Sequence, residues 1–192
     1  HDRDVIELIP KLSIPIVLVY CYDTSKKNYY VTYDNMDVIA DVAEYLVKHG
    51  HEKIGVIKGA EDSLPSQKRL RSFITQLEKA GKELKEEYIF PGAWEFGDGV
   101  KAYERFKQLE EKPTAIFAMN DLMATGFMDA ALNDGVRIPE DVSVIGFDNR
   151  QECRFTRPRL TTVDIPLEKM GEKAGQVLLL SLIHISEPTR LR

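Results

Sequence analysis

The stretch PTAIFAMNDLMATGFMDAALNDGVRIPEDVSVIGFDN, residues 113–149, decides the fold of this chain. Two apolar runs of strand length, 114–119 and 142–147, enclose a segment whose apolar residues recur at helical spacing. Gly135 suits the end of that helix, and Pro139 prevents its continuation. Two strands joined by a crossover helix run parallel in one sheet, so this stretch predicts an α/β unit.

Polar residues follow both predicted strands at their carboxyl ends. Asn120 and Asp121 come after the first strand, and Asp148 closes the second. Taken singly, Asp121 is interpreted as a helix cap, and Asp148 with Asn149 as a turn. Open α/β sheets bind ligands at the carboxyl edge of their strands, however, and these residues share that edge. Their shared position favours a binding site.

The remainder of the chain continues the alternation of strands and helices. Apolar runs predict strands at 15–21, 29–33, 53–57 and 88–90, and helical spacing predicts helices at 37–48, 66–80, 167–180 and from Asp98 onward. This alternation is typical of a doubly wound parallel sheet with helices on both faces.

Composition restricts the class of protein. A chain of 192 residues, 43% hydrophobic and with a net charge of −5, suits one large domain or two small ones. No basic patch is long enough to follow a phosphate backbone, which argues against direct nucleic-acid binding by this chain. Neither a signal peptide nor a transmembrane run is visible, but the chain starts at His1 without a methionine, so we expect a missing N-terminal segment.

Motifs for catalysis and metal binding are missing from the sequence. Cys21 and Cys153 lie far apart without metal-ligand spacing, which indicates a reducing compartment and no disulfide scaffold. The four histidines lack paired ligand spacing, and no nucleophile elbow, P-loop or dinucleotide fingerprint is present. We therefore predict no metal, no cofactor and no enzymatic activity.

Loops after successive predicted strands bring further polar and aromatic residues to the same edge. Ser63 and Arg69 follow one strand, and Trp94 follows the next. Arginine and carboxylates make directional hydrogen bonds to hydroxyls, and an indole offers a flat apolar face to a sugar ring. Arg69 alone would be interpreted as a solvated helix residue, and Trp94 alone equally well as a core residue. Together they favour a polyhydroxylated ligand such as a sugar.

Over residues 13–180 the chain resembles the effector-binding core of the LacI/GalR family of bacterial transcription regulators. The motifs that carry the resemblance are IPIVLV at 14–19, VTYDN at 31–35, GHEKIGVIKG at 50–59, RLRSF at 69–73, TAIFAMNDLMATG at 114–126, RIPEDVSVIGFDN at 137–149 and PRLTTV at 158–163. The resemblance implies a periplasmic-binding-protein-like α/β fold, with doubly wound parallel sheets in two Rossmann-like subdomains and the effector between them.

The resemblance also implies a set of effector-binding residues. Matched by motif, these are the effector-binding arginine Arg69, the stacking aromatic Trp94, the polar contacts Asn120 and Asp148, and the cleft-lining Ser63 and Tyr20. Two departures, Ser72 where the family usually has glycine and Pro65 where it often has a hydroxyl, leave the identity of the ligand open.

The resemblance sets the expected domain organisation. Residues 1–32 and 159–180 are interpreted as the remnant of an incomplete N-terminal subdomain, and residues 33–158 as the C-terminal effector-binding subdomain. Residues 160–166 are expected to form the last crossovers. The segment 181–192 resembles a translated sequencing adapter and is interpreted as a non-native tail.

The resemblance implies the effector-sensing domain of a cytoplasmic DNA-binding transcriptional regulator, with operator DNA bound by a helix-turn-helix missing from this chain. A neutral mono- or disaccharide is the expected effector, with a purine or sugar phosphate as the second choice. A homodimer is expected through the helix that presents Ala124, Thr125 and Met128. Two alternatives are a transport-associated periplasmic sugar-binding protein and an α/β enzyme that uses the carboxylate of Asp121 or Asp148.

Overall fold

In the computed structural model of this chain, residues 8–9, 12, 14–20, 28–33 and 35–186 are described. The chain divides into two compact units, His1–Tyr33 with Pro166–Arg192, and Asp34–Ile165. In chain order the described elements are β1 (Val17–Val19), β2 (Tyr29–Val31), α1 (Asn35–Lys48), β3 (Ile54–Ile57), α2 (Leu64–Lys79), β4 (Ile89–Phe90), α3 (Phe96–Phe106), β5 (Ala115–Ala118), α4 (Asp121–Asn133), β6 (Ser143–Asp148), β7 (Thr161–Asp164) and α5 (Leu167–Ser186). Short 3-10 helices cover Glu86–Tyr88 and Gln151–Phe155.

The first unit contains β1 and β2, which pair in parallel, and α5, which packs against both strands. β1 lies within the predicted strand 15–21, of which Cys21 is outside the described residues. α5 begins at Leu167 as predicted and continues to Ser186. The rest of the predicted non-native tail, residues 187–192, also lies outside the described residues.

The second unit is built on five parallel strands in the spatial order β4-β3-β5-β6-β7. From β3 the chain crosses to β4 on one side of it and then returns to β5 on the other side. β6 and β7 follow in order beyond β5. Because such crossovers are right-handed, α2 lies on one face of the sheet and α3 and α4 on the other. α1 packs with α2, and α3 packs with α4. The predicted doubly wound parallel architecture is confirmed.

Residues 160–166 differ from their prediction. They do not form only crossovers, because β7 pairs in parallel with β6, from Thr161 opposite Ile145 to Asp164 opposite Asp148. β7 thus completes the sheet of the second unit. It is an edge strand of exposed or half-buried residues, so it lacks the continuous apolar run that marks a central parallel strand.

Two glycines allow α3 and α4 to approach closely. A Cβ added at Gly99 would lie 2.0 Å from the Met123 carbonyl oxygen, and one added at Gly126 would lie 2.0 Å from that of Phe96. Met128 and Ala124 of α4, which the sequence analysis expects at a dimer interface, are 3% and 0% exposed and so are buried inside their own unit. The prediction that Met128 faces a dimer partner is therefore wrong.

Candidate functional site

The strand order places a topological switch point between β3 and β5. The loop after β3 leads to α2 on one face of the sheet, and the loop after β5 leads to α4 on the other. Diverging loops leave a crevice at the carboxyl ends of the two strands, where open α/β sheets bind ligands. The loops after β4 and β6 flank it on either side.

Arg69 is held at this edge by the sheet itself. Its side chain is 3% exposed, and Nη1 donates to the carbonyl oxygen of Met119, one residue beyond β5, at 2.6 Å. The guanidinium carbon lies 4.0 Å from the ring centroid of Phe147 in β6 and 5.7 Å from that of Trp94. A buried cation needs such hydrogen bonds and aromatic faces to offset its lost hydration. Arg69 is thus a fixed cation rather than a solvated helix residue.

Trp94 follows β4 with a backbone φ of +78°. This left-handed conformation is costly for a bulky residue and persists only where the surroundings enforce it. Its carbonyl oxygen accepts a hydrogen bond from Nδ2 of Asn120 at 2.8 Å. On either side of it, the N–H groups of Ala93 and Glu95 donate to Oδ2 of Asp98 at 2.7 and 3.1 Å.

The indole of Trp94 lies directly on the backbone of Gly59, just after β3. A Cβ added at Gly59 would fall 2.1 Å from an indole carbon, so only glycine fits beneath the ring. The half-buried indole therefore crosses from the loop after β4 to the switch point and meets Arg69 there. Trp94 and Arg69 together form one cationic and aromatic wall.

Asn120 is the N-cap of α4. Its Oδ1 accepts the N–H of Met123 at 2.9 Å, while Nδ2 donates to Trp94 as described above. The residue is 7% exposed. Both polar atoms of the predicted effector contact are thus hydrogen-bonded to the protein itself.

The interpretation of Asp121 as a helix cap is wrong, because Asn120 fills that role. Asp121 is 1% exposed and its carboxylate turns toward the connection between β6 and β7. Oδ2 accepts the N–H of Arg150 at 2.7 Å, and Oδ1 accepts the hydroxyl of Thr162 at 2.5 Å. Gly146 in β6 makes room for this carboxylate, since an added Cβ would lie 2.2 Å from Oδ1.

Asp148 ends β6 in a strained conformation. Its φ is +117° and that of Asn149 is +51°, values that residues other than glycine rarely adopt. Asn149 is anchored to β7, since its N–H donates to Oγ1 of Thr162 at 3.2 Å and Nδ2 donates to Asp164 at 2.9 Å. Asp148 is half-buried at the carboxyl edge, where β6 ends and the connection to β7 begins.

The remaining predicted site residues lie at comparable positions in their own units. Ser63 is the half-buried N-cap of α2, and its Oγ accepts the N–H of Ser66 at 3.5 Å. Tyr20 belongs to the first unit, directly after β1, and has a φ of +58°. The second unit therefore brings Ser63, Arg69, Trp94, Asn120 and Asp148 to one edge of one sheet.

Comparisons with known proteins agree with this architecture. Residues 43–191 match the family model of the periplasmic binding protein-like domain. The chain is 38% identical over 141 residues to the HTH-type transcriptional repressor PurR of Mannheimia succiniciproducens, covering 73% of this chain and 42% of that protein. A crystal structure of a LacI transcriptional regulator from Bacillus cereus subsp. cytotoxis superposes with a TM-score of 0.84 at 31% identity, covering 99% of this chain and 67% of that one.

The chain is a periplasmic-binding-protein-like domain of the LacI/GalR family. A further member, the sugar-binding transcriptional regulator of Escherichia coli crystallised with phosphate, matches at 30% identity with a TM-score of 0.80, covering 94% of this chain and 65% of that one. The chain spans about half the length of the curated relatives it matches. The LacI/GalR relatives named here are transcriptional regulators and not enzymes.

Two structural findings bear on this LacI/GalR domain as a whole. Among the described residues, no group of three or more His, Cys, Asp or Glu side chains is placed to hold a metal ion. None of the helices in the same residues has the length and apolar character needed to cross a membrane.

Sequence reasoning did not identify the residues that support the site from behind. This group contains Phe147, which lies beneath Arg69, and Gly59, which lies beneath Trp94. It also contains Thr162, which donates to Asp121. The isolated glycines, Gly59 at the end of a strand and Gly146 inside one, were the available signal, because such glycines mark the close approach of another group.

Proposed function

We propose that this chain is the effector-sensing domain of a DNA-binding transcriptional regulator, and that it binds a small, sugar-like effector at the carboxyl edge of the second unit's sheet. The observation that carries the proposal is the placement of backbone strain. All four positive-φ residues other than glycine in the described chain, Tyr20, Trp94, Asp148 and Asn149, lie at the carboxyl end of a strand or in the loop that follows it. Strain of this kind concentrates at ligand sites.

The chemistry of the edge supports a polyhydroxylated ligand. Arg69 offers a buried cation, Trp94 a half-buried indole and Asp148 a half-buried carboxylate. A hydroxylated ring could stack on the indole and share its hydroxyl groups between the other two. One solved relative is described as sugar-binding and was crystallised with phosphate. We therefore propose a neutral mono- or disaccharide first, and a sugar phosphate or purine second.

The roles of the whole protein follow from its relatives. We propose that operator DNA is bound by a helix-turn-helix outside this chain, as the name of the PurR relative indicates. We also propose a homodimer in the cytoplasm, where a repressor meets its operator. The effector would act by binding two conformational states of the regulator with different affinity. Regulation is proposed over transport and over catalysis because the named relatives are transcriptional regulators.

Fluorescence and calorimetric titration of the full chain test the proposal. Trp94 is the only tryptophan, so its emission reports on the site directly when neutral sugars, sugar phosphates and purines are added. We expect Arg69→Ala to weaken binding of the responding ligand by about 1.5 to 3 kcal/mol, the range for a hydrogen bond to a charged group. Asp148→Asn should weaken it in the same direction.

The matched control is Arg71→Ala, which removes an exposed arginine from the same helix, two residues from Arg69. Its affinity should equal that of the wild type. Circular dichroism identifies any variant that fails to fold. Equal affinity of all three folded variants would contradict the site. A response confined to purines or phosphorylated ligands would retain the site and exclude a neutral sugar.

A further inference from the structure

Two consecutive residues after β5 send their side chains in opposite directions along the sheet edge. Asn120 reaches the loop after β4, where Nδ2 donates to the carbonyl oxygen of Trp94 at 2.8 Å. Asp121 reaches the connection between β6 and β7, where its two oxygens accept from Arg150 N–H and Thr162 Oγ1 at 2.7 and 2.5 Å. The two flanking loops are thus tied to one dipeptide in the centre of the sheet.

Each tie is made at a strained backbone. Trp94, whose own carbonyl is bound, has a φ of +78°. Arg150 directly follows the left-handed pair Asp148 and Asn149. Thr162 extends the second tie, because the oxygen that donates to Asp121 also accepts the N–H of Asn149 at 3.2 Å. Left-handed backbone conformations are strained in residues other than glycine, and they persist only where surrounding contacts hold them in place.

The two side-chain types suit these tasks. An asparagine amide has an acceptor for the N-cap and a donor for Trp94, whereas a carboxylate could not donate. A carboxylate at position 121 has acceptors only, which suits the backbone and hydroxyl donors around it. A third donor is the thiol of Cys153, whose pKa is raised to about 12, first by burial and then by its hydrogen bond to Asp121. The thiol therefore keeps its proton at neutral pH.

We infer that Asn120 and Asp121 are positioning residues, a bracket that fixes the backbones of Trp94 and Asp148 in the effector-free protein. Their burial, at 7% and 1% exposure, and their hydrogen bonds to the two flanking loops carry this inference. It adds a positioning role to the effector contact that the resemblance implies for Asn120. It rests on the proposed function only in taking Trp94 and Asp148 as the groups that meet the ligand.

The first arm of the test uses Asn120→Asp in the full chain without ligand. This variant keeps the oxygen that caps α4 but removes the donor to Trp94. We expect a shift in the emission maximum of Trp94 and quenching by acrylamide that is roughly two- to fivefold more efficient, because the indole loses its fixed position. Asn133→Asp, the same substitution at the exposed end of the same helix, should leave both signals unchanged. Asn120→Ser, which keeps a capping oxygen, replaces the first variant if that one does not fold.

The second arm uses Asp121→Asn and hydrogen exchange of the backbone amides of Asn149 and Arg150. Asparagine keeps one acceptor oxygen for two part-buried donors, the N–H of Arg150 and the hydroxyl of Thr162. The weakened connection should accelerate exchange at both amides by roughly ten- to a hundredfold. The control is Asp129→Asn, an exposed carboxylate in the same helix, which should exchange like the wild type. A crossed pattern is expected, in which Asn120→Asp changes Trp94 alone and Asp121→Asn changes residues 149 and 150 alone.

Two results would overturn the bracket. One is a folded Asn120→Asp variant with an unchanged Trp94 signal, since Asn120 would then not hold the backbone of Trp94. The other is equal acceleration across the whole second unit in both variants, which indicates general destabilisation. Both arms are measured without effector, so failure to find a ligand bears on the proposed function and not on the bracket.

Discussion

The two edges of the second unit's sheet hold their polar groups differently. At the amino edge, before the strands begin, the polar groups form exposed ion pairs: Glu111 lies 3.2 Å from both Lys53 and Lys85, and Arg137 pairs with Asp141. The carboxyl edge also has exposed ion pairs, such as Arg150 with Glu152, but its buried polar side chains bind the backbone of neighbouring loops, as Asn120 and Asp121 do.

Backbone conformation follows the same division. The left-handed residues before β3 and β6 are glycines, Gly50 and Gly135, with open space around the position of a Cβ. At the carboxyl edge the left-handed residues include Trp94 and Asn149, which have side chains and are held by hydrogen bonds. The turns at the amino edge therefore cost little conformational free energy, because glycine adopts them readily. The carboxyl edge keeps strained backbone conformations that fix the direction of the proposed effector-binding side chains.

The largest expected difference between the edges is in stability. Asp121→Ala should lower the free energy of unfolding by about 3 to 5 kcal/mol, because each buried donor left unpaired costs about 1 to 3 kcal/mol. Asp129→Ala, on the exposed side of the same helix, should change it by no more than about 0.5 kcal/mol. Urea denaturation of both variants measures the difference. Similar losses would remove the contrast between buried and exposed carboxylates.

A second prediction compares glycines of the two edges. Gly59→Ala should displace the indole of Trp94, which shifts its emission and lowers stability by about 1 to 3 kcal/mol through overpacking. Gly135→Ala should cost about 1 kcal/mol through its left-handed backbone alone, with unchanged emission, because nothing lies near the added methyl group. Fluorescence and urea denaturation of the two variants distinguish them. An unchanged Trp94 spectrum in Gly59→Ala contradicts the contact.

The sequence predicted the parts of this fold that depend on local pattern. The strand, helix and strand of residues 113–149 are present as β5, α4 and β6, since apolar runs and helical spacing are local properties. It did not predict β7, whose pairing with β6 comes from tertiary contact rather than from an apolar run. α2 begins at Leu64, ahead of its predicted start, because Pro65 fits the first turn of a helix.

The candidate site was predictable in its location but not in the direction of each side chain. Strand ends can be read from the sequence, and this places Arg69, Trp94 and Asp148 at one edge of the sheet. Whether Asn120 or Asp121 caps α4 depends on backbone conformation at the strand end, which neither residue type reveals. The burial of Met128 depends on how α4 packs inside the second unit, which the spacing of its residues does not reveal.

The smallest expected effect lies at the amino edge and depends on pH. The Arg137 guanidinium and backbone N–H both bond Asp141 and lower the pKa of its carboxyl from 3.8 to about 2. A carboxyl whose pKa is lowered by folding stabilises the protein above its unfolded pKa, and that contribution disappears as the pH falls through the folded value. The wild type should therefore exceed Asp141→Asn in stability at pH 5, and the gap should close between pH 3.8 and about 2. Because the Arg137–Asp141 pair is exposed, added salt should narrow the stability gap at pH 5.

Urea denaturation across this pH range measures the gap in stability between the wild type and Asp141→Asn. Glu140→Gln, a substitution at the neighbouring exposed position, serves as the control. A gap that persists at pH 2 would show that Asp141 stabilises the protein through contacts that do not depend on its charge. The exposed ion pair would then not account for the role of Asp141 at the amino edge.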